Sequence, residues 1–166
     1  MDYPLGIQQL CRTHMTESPA VAIKSLCLDV LTRNNLLKPP IPLKPLMAYL
    51  GVDFSYSKKE ALYYFGLTNS TAKLLHNTKT KRFEILLSSN RTHNNWRKQR
   101  FSIAHELVHL ILIRALGNSE LIESLTETRK AYELLETLCD LGASELLIPS
   151  HLLRLHANED DLTPPK

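Results

Sequence analysis

The sequence predicts an α+β fold, with a helical first third, a strand-rich middle and a helical last third. Three observations carry that prediction. Apolar residues recur at helical spacing after Ser18-Pro19, where Ser suits the N-cap and Pro the first helical position. Short apolar–polar alternations appear between residues 52 and 87. Two long helical patterns then follow, at about residues 96–116 and 128–147, stopped by Gly117 and Pro149.

In chain order, Ile23, Leu26, Cys27 and Val30 line one face of the first predicted helix, and Asn34-Asn35 ends it. A connector with Pro39, Pro40 and Pro42 comes next. Pro45 opens a short helix through Leu50, which Gly51 closes. Val52, Phe54 and Tyr56 alternate with polar residues, so 52–57 reads as a strand. Residues 61–77 read as strand and loop. Residues 71–76 and 82–87 read as two strands joined by a turn at 77–81, giving a small antiparallel sheet. The polar loop 88–95 leads into the first long helix, and a last short helix covers 150–156. The expected organisation is a single domain over 1–157. Within it, 1–17 carries no clear element, and 158–166 forms an acidic tail or linker.

The 166 residues suit one domain, and 43% hydrophobic residues can build a core. A net charge of +3 is too small to imply nucleic acid by itself. Cys11, Cys27 and Cys139 are odd in number and scattered, which speaks against a disulfide framework and for a reducing cytosol. The first residues lack the basic start and apolar run of a signal peptide, and no apolar stretch reaches the roughly 18 residues of a membrane span. A soluble, cytoplasmic protein is expected.

The chemistry centres on His105-Glu106-Leu107-Val108-His109. Residues four apart share a helical face, so both imidazoles can grip one ion, with Glu106 beside it. This is the His-Glu-x-x-His spacing of zinc hydrolases. Zinc (Zn2+) lowers the pKa of the water it holds to roughly 7, and Glu106 is the residue placed to take the proton as general base. A chance motif falls in a loop or on an unpatterned surface. This one is surrounded by Phe101, Ile103, Ala104, Leu107, Val108, Leu110, Ile111 and Leu112. A buried, unpaired glutamate between two histidines is costly, and a metal with its water removes that cost.

Such a site takes a third protein ligand and leaves one position open. The second long helix offers Glu133, Glu136, Asp140 and Glu145. Glu136 and Asp140 lie one turn apart, which makes Glu136 the chosen ligand and Asp140 a brace for the first histidine. Glu133 and Glu145 are read as ordinary helix-surface acids.

The segment RKQRFSIAHELVHLIL resembles the active helix of the ImmA/IrrE-type metallopeptidases, through Arg100, Phe101, Ser102, Ala104, His105, Glu106, Leu107 and His109. ETLCDLGASELLIP resembles the same family's third-ligand helix, in a register fixed by Leu146, Leu147 and Pro149. That register puts Glu136 on the ligand position and Asp140 on an Asn position. LLKPPIPLKPLMAYLGVDFSYS resembles the family's entry segment, so the likeness spans roughly residues 20–155. Departures are Val108 for a common Gly, Cys139 for Ala, and Leu141-Gly142 for x-Phe. Gly142 can allow two helices to approach closely. The resemblance implies a zincin-like domain and site-specific cleavage of a transcriptional repressor, often one with a helix-turn-helix, that switches on mobile-element, phage or stress-response genes. The alternative is a regulator that binds its partner protein without cutting it.

Other residues are given plainer roles. His76, His93, His151 and His156 are read as surface or packed histidines, with His151 close enough in sequence to approach the site. Tyr132, one turn before Glu136, is expected in the core, with the cleft as the second choice, Cys139 as a small buried filler, and Arg100 as an anchor for a loop or a substrate carbonyl. The basic loop 91–100, with Trp96, is read as solvated, so direct nucleic-acid binding is not expected. An extended peptide substrate is expected to add to a sheet edge, with 82–87 as first choice and 71–76 as second.

Overall fold

Ser18 caps the first helix that the sequence predicts: its side chain accepts the Val21 N–H, and Pro19 begins the helix Pro19–Arg33. In this computed structural model the described residues are 3–56, 72–77, 80–87 and 96–160. The expected strand-and-loop segment before residue 72, the loop 88–95 and the end of the tail lie outside them.

A helix that the sequence did not reveal precedes Pro19–Arg33. Leu5–Thr13 form α1, which makes Pro19–Arg33 α2. Ile7, Leu10 and Cys11 of α1 are buried, at the i, i+3, i+4 spacing that was the available signal. Leu43–Tyr49 form α3, two residues earlier than the Pro45 start expected from sequence. Three strands follow: β1 (Val52–Tyr56), β2 (Ala72–Asn77) and β3 (Arg82–Leu87). Then come α4 (Trp96–Leu116), α5 (Ser119–Ser124), α6 (Arg129–Leu147) and α7 (Ser150–Asp160). The sequence also missed α5, where Asn118 caps the start by accepting the Glu120 N–H. α1 and α5 meet at Gly6. Its N–H donates to Ser124 Oγ at 2.9 Å, and a Cβ there would lie 2.5 Å from the Leu121 carbonyl oxygen. α7 continues to Asp160, beyond the expected end at 156 and into the acidic stretch.

The sheet has the order β1-β3-β2 and corrects the all-antiparallel expectation. β2 and β3 pair antiparallel, with Leu74 opposite Ile85 and Asn77 opposite Arg82. β1 pairs with β3 in parallel, Phe54 beside Ile85. The physical reason is connection length. Residues 57–71 separate β1 from β2, too long for a tight hairpin, so β1 can pass over β2 to the far side of β3. Sequence did carry a trace of this: Ile85, Leu86 and Leu87 are consecutive apolar residues, all buried, as in a strand covered on both faces.

α4 packs against α6 on one side and β2 on another, and α6 also packs against α2. The core runs through these contacts, and Ala104, Leu107, Val108, Leu110 and Leu112 of α4 share one buried cluster with Leu135, Leu138, Ala143 and Leu146 of α6 and with Ala22, Ile23, Cys27 and Leu31 of α2. Gly142 sits at the junction. A Cβ there would come 2.8 Å from Val108 Cγ1 and 3.2 Å from Cys27 Sγ, so the small residue permits the close approach. Val108 is thus packed directly against Gly142. Two arginines of α4 pin the segment around α3: Arg100 donates to the Ile41 carbonyl at 2.8 Å and Arg114 to the Leu50 carbonyl at 2.7 Å. Arg100 therefore anchors a loop. No helix among the described residues is long and apolar enough to cross a membrane.

Candidate metal centre

α4 places His105 and His109 one turn apart, and α6 brings Glu136 across from them. One ligand atom from each of the three falls within 4.8 Å of the others. The two Nε2 atoms are 3.1 Å apart. Glu136 reaches both rings, Oε2 to His105 Nε2 at 3.4 Å and Oε1 to His109 Nε2 at 3.4 Å. The outer ring nitrogens are engaged as well. His105 Nδ1 lies 2.8 Å from Asp140 Oδ1, and His109 Nδ1 lies 3.5 Å from Cys139 Sγ.

The donor chemistry fits a cation. An ionised carboxylate only accepts, so Asp140 draws the proton of neutral His105 to Nδ1 and leaves a lone pair on Nε2. Burial, and then His105 beside it, push the His109 pKa down to about 4, so that ring is neutral near pH 7. With the His109 proton on Nδ1, two imidazole lone pairs and two carboxylate oxygens converge on one point, a donor set that suits a divalent ion.

Glu106 projects beside the cluster. Its Oε2 accepts the backbone N–H of Leu74 in β2 at 2.8 Å. Burial raises its pKa above the ordinary carboxylate range, while the Leu74 N–H and His105 pull it back down. Tyr132, expected in the core with the cleft as the second choice, is 48% exposed and lies one turn before Glu136 on α6. Burial, and then the Glu136 charge, raise the Tyr132 pKa.

The remaining acids of α6 stand elsewhere. Glu133 pairs with Arg129 at 2.8 Å on the surface. Glu145, read from sequence as surface, is buried and accepts both the backbone N–H and the hydroxyl of Ser150, tying α6 to α7. His151 is half-buried and outside the ligand cluster, and His76 stacks beside Phe83 at 4.7 Å. Trp96 is exposed with Arg97 over its ring, while residues 91–95 of the basic loop lie outside the described residues. Sequence reasoning missed the Cys139 contact and the Leu74 N–H. The first hides behind cysteine's habit of acting as filler, and the second is a backbone group with no side-chain signature.

Comparison with known proteins agrees with this geometry. The family described as IrrE N-terminal-like domain, a metallopeptidase family, matches residues 49–163. The radiation response metalloprotease IrrE of Deinococcus deserti is 39% identical over 59 residues, covering 34% of this chain and 20% of that protein. The match thus spans only a fifth of the length of this curated relative. With a metal ion implied by the family and a His-His-Glu cluster inside the matched region, this chain belongs to the IrrE N-terminal-like domain family of metallopeptidases.

Proposed function

We propose that this chain is a cytoplasmic, zincin-like zinc endopeptidase that cleaves a regulatory protein at a defined site. The single observation that carries the reading is the placement of Glu106, which lies between a three-ligand cluster and the backbone of a strand at the sheet edge. His105, His109 and Glu136 are the proposed zinc ligands, Asp140 the brace of His105, and Glu106 the general base. Zinc, when bound there, supplies Lewis acidity that lowers the pKa of water and polarises a peptide carbonyl. Glu106 accepts the proton from the attacking water and returns it to the leaving amine. Its raised pKa suits both halves of that task, acceptance and return.

The substrate strand has a place to add, and it differs from the first choice made on sequence. β3 is the central strand, paired on both sides, so residues 82–87 offer no open edge. Among the described residues β2 is an edge strand. The Leu74 N–H points to Glu106 and away from β3, so by the alternation of an antiparallel pair Ala72 and His76 present their backbone groups on the same open side. An extended peptide pairing there passes beside Glu106. A transcriptional repressor, often one with a helix-turn-helix, is the proposed substrate on the resemblance of the two site segments, and the radiation response named for the relative supports a stress-linked role.

Glu106→Gln tests the reading. It keeps shape and the bond to Leu74 but cannot take a proton. Loss of a general base costs about 10²–10⁴-fold in rate. The variant should hold its metal and its partner, yet leave the regulator uncut and the controlled genes silent. Derepression by Glu106→Gln with the regulator intact would show instead a partner that acts by binding alone.

A further inference from the structure

The two histidines of the cluster are held from behind by neighbouring residues of α6, but by different chemistry. Asp140 stands 2.8 Å from His105 Nδ1. Cys139 Sγ stands 3.5 Å from His109 Nδ1, within the longer reach of a sulfur hydrogen bond. Glu136, Cys139 and Asp140 are spaced i, i+3, i+4, so one face of α6 carries the proposed third ligand and both outer contacts. Cys139 is 0% exposed. Water therefore has no access through this residue to the ring nitrogen behind it. For His109 to turn a lone pair on Nε2 toward an ion, its neutral ring must carry the proton on Nδ1, and that proton needs an acceptor.

We propose that Cys139 is a positioning residue of the metal centre, its sulfur accepting the Nδ1–H of His109 and so fixing the tautomer and ring orientation that present Nε2 to the ion. The inference rests on the metal reading of His105, His109 and Glu136, and extends it to a residue whose burial alone suggests filler. Cys27 supplies an internal contrast. It is equally buried, lies on α2, and among the described residues has no hydrogen bond to His109.

The test is zinc affinity of the purified chain, read by competition with a chromophoric chelator, with cobalt absorption as a second view of ligand geometry. The parent should take up one ion. Cys139→Ala should bind about 10-fold or more weakly and show an altered cobalt spectrum, as loss of an outer partner does. Cys139→Ser, whose hydroxyl accepts the same N–H, should stay within about threefold of the parent. Cys27→Ala should bind like the parent. Cys139→Val fills the volume without an acceptor, and it replaces the Ala variant if circular dichroism shows that one unfolded. Parent-like affinity in the Ala or Val variant would overturn the inference, as would equal weakening by Ser and Ala. A parent chain that takes up no ion would overturn the metal reading itself, a different and separable result.

Discussion

The helix pair α4–α6 and the three-stranded sheet do different work, and they are built by different rules. In the helix pair every group of the site is set by spacing within one helix: His105 and His109 on α4, Glu136 and Asp140 on α6. The two helices are then locked at one distance by Val108 against Gly142. In the sheet only the β2–β3 hairpin is set locally. Which strand is central, and which edge is open, depends on pairings between residues about 30 positions apart. One described side-chain bond, Leu74 N–H to Glu106, joins the sheet to the His105–His109 segment. The difference separates the capacity for chemistry, carried by the helices, from access to it, carried by the sheet edge.

The largest expected effect falls on the helix pair. His105→Ala should weaken metal binding by more than the roughly 10–100-fold that outer partners are worth, measured by chelator competition. The sheet should respond without losing metal chemistry. Ile85→Pro removes a backbone donor from the central strand, and we expect a loss of about 1–3 kcal/mol in chemical denaturation. Leu74→Pro removes a donor that points off the sheet. It should keep most of its stability and its metal, and lose cleavage. Equal destabilisation by the two prolines would contradict the strand order described here.

How much of this was legible in sequence follows the same divide. That His105, His109 and Glu136 come together, with Asp140 beside His105, was readable because helical periodicity is local, and their roles as ligands and brace are proposals. The β2–β3 hairpin was readable from its short turn. The parallel β1–β3 pairing was not, since alternation in 52–57 gives a face but no direction. α1 and α5 were missed because each is short, and each is held by tertiary contacts such as Gly6 to Ser124 rather than by a long pattern. The exposure of Tyr132 was the second choice on sequence, because an aromatic at helical spacing usually packs inward.

Two smaller effects sharpen the comparison. Gly142→Ala gains helix propensity but drives a Cβ into Val108, so a net loss of about 1 kcal/mol is expected. Combined with Val108→Ala, the pair should show a coupling of about 1–2 kcal/mol in a double-mutant cycle, the signature of residues in direct contact. Additive single effects would mean the junction has slack.

The smallest effect concerns the metal-free protein and pH. Glu106 has a folded pKa raised by burial, so the stability tied to its proton is present below the ordinary carboxylate range and lost as pH rises through the raised value. His109, lowered to about 4, acts the other way: its contribution is present above the ordinary imidazole range and lost as pH falls toward 4. Subtracting the parent from Glu106→Gln isolates the first. The variant should melt higher near pH 7 by roughly 2–4 °C, the shift about 1 kcal/mol produces at this chain length, and the gap should close toward acid pH. A gap that widens on acidification would reverse the assigned sign.

The central claim, that α4 and α6 together build a three-ligand metal centre, is tested most directly by bound zinc per chain in Glu136→Ala and Glu133→Ala measured side by side. Both glutamates lie on α6 less than one turn apart, but only Glu136 faces the histidines, while Glu133 pairs with Arg129. We predict that Glu136→Ala loses most of its zinc and that Glu133→Ala keeps one ion per chain. Full occupancy in Glu136→Ala, with loss in Glu133→Ala, would contradict the assignment.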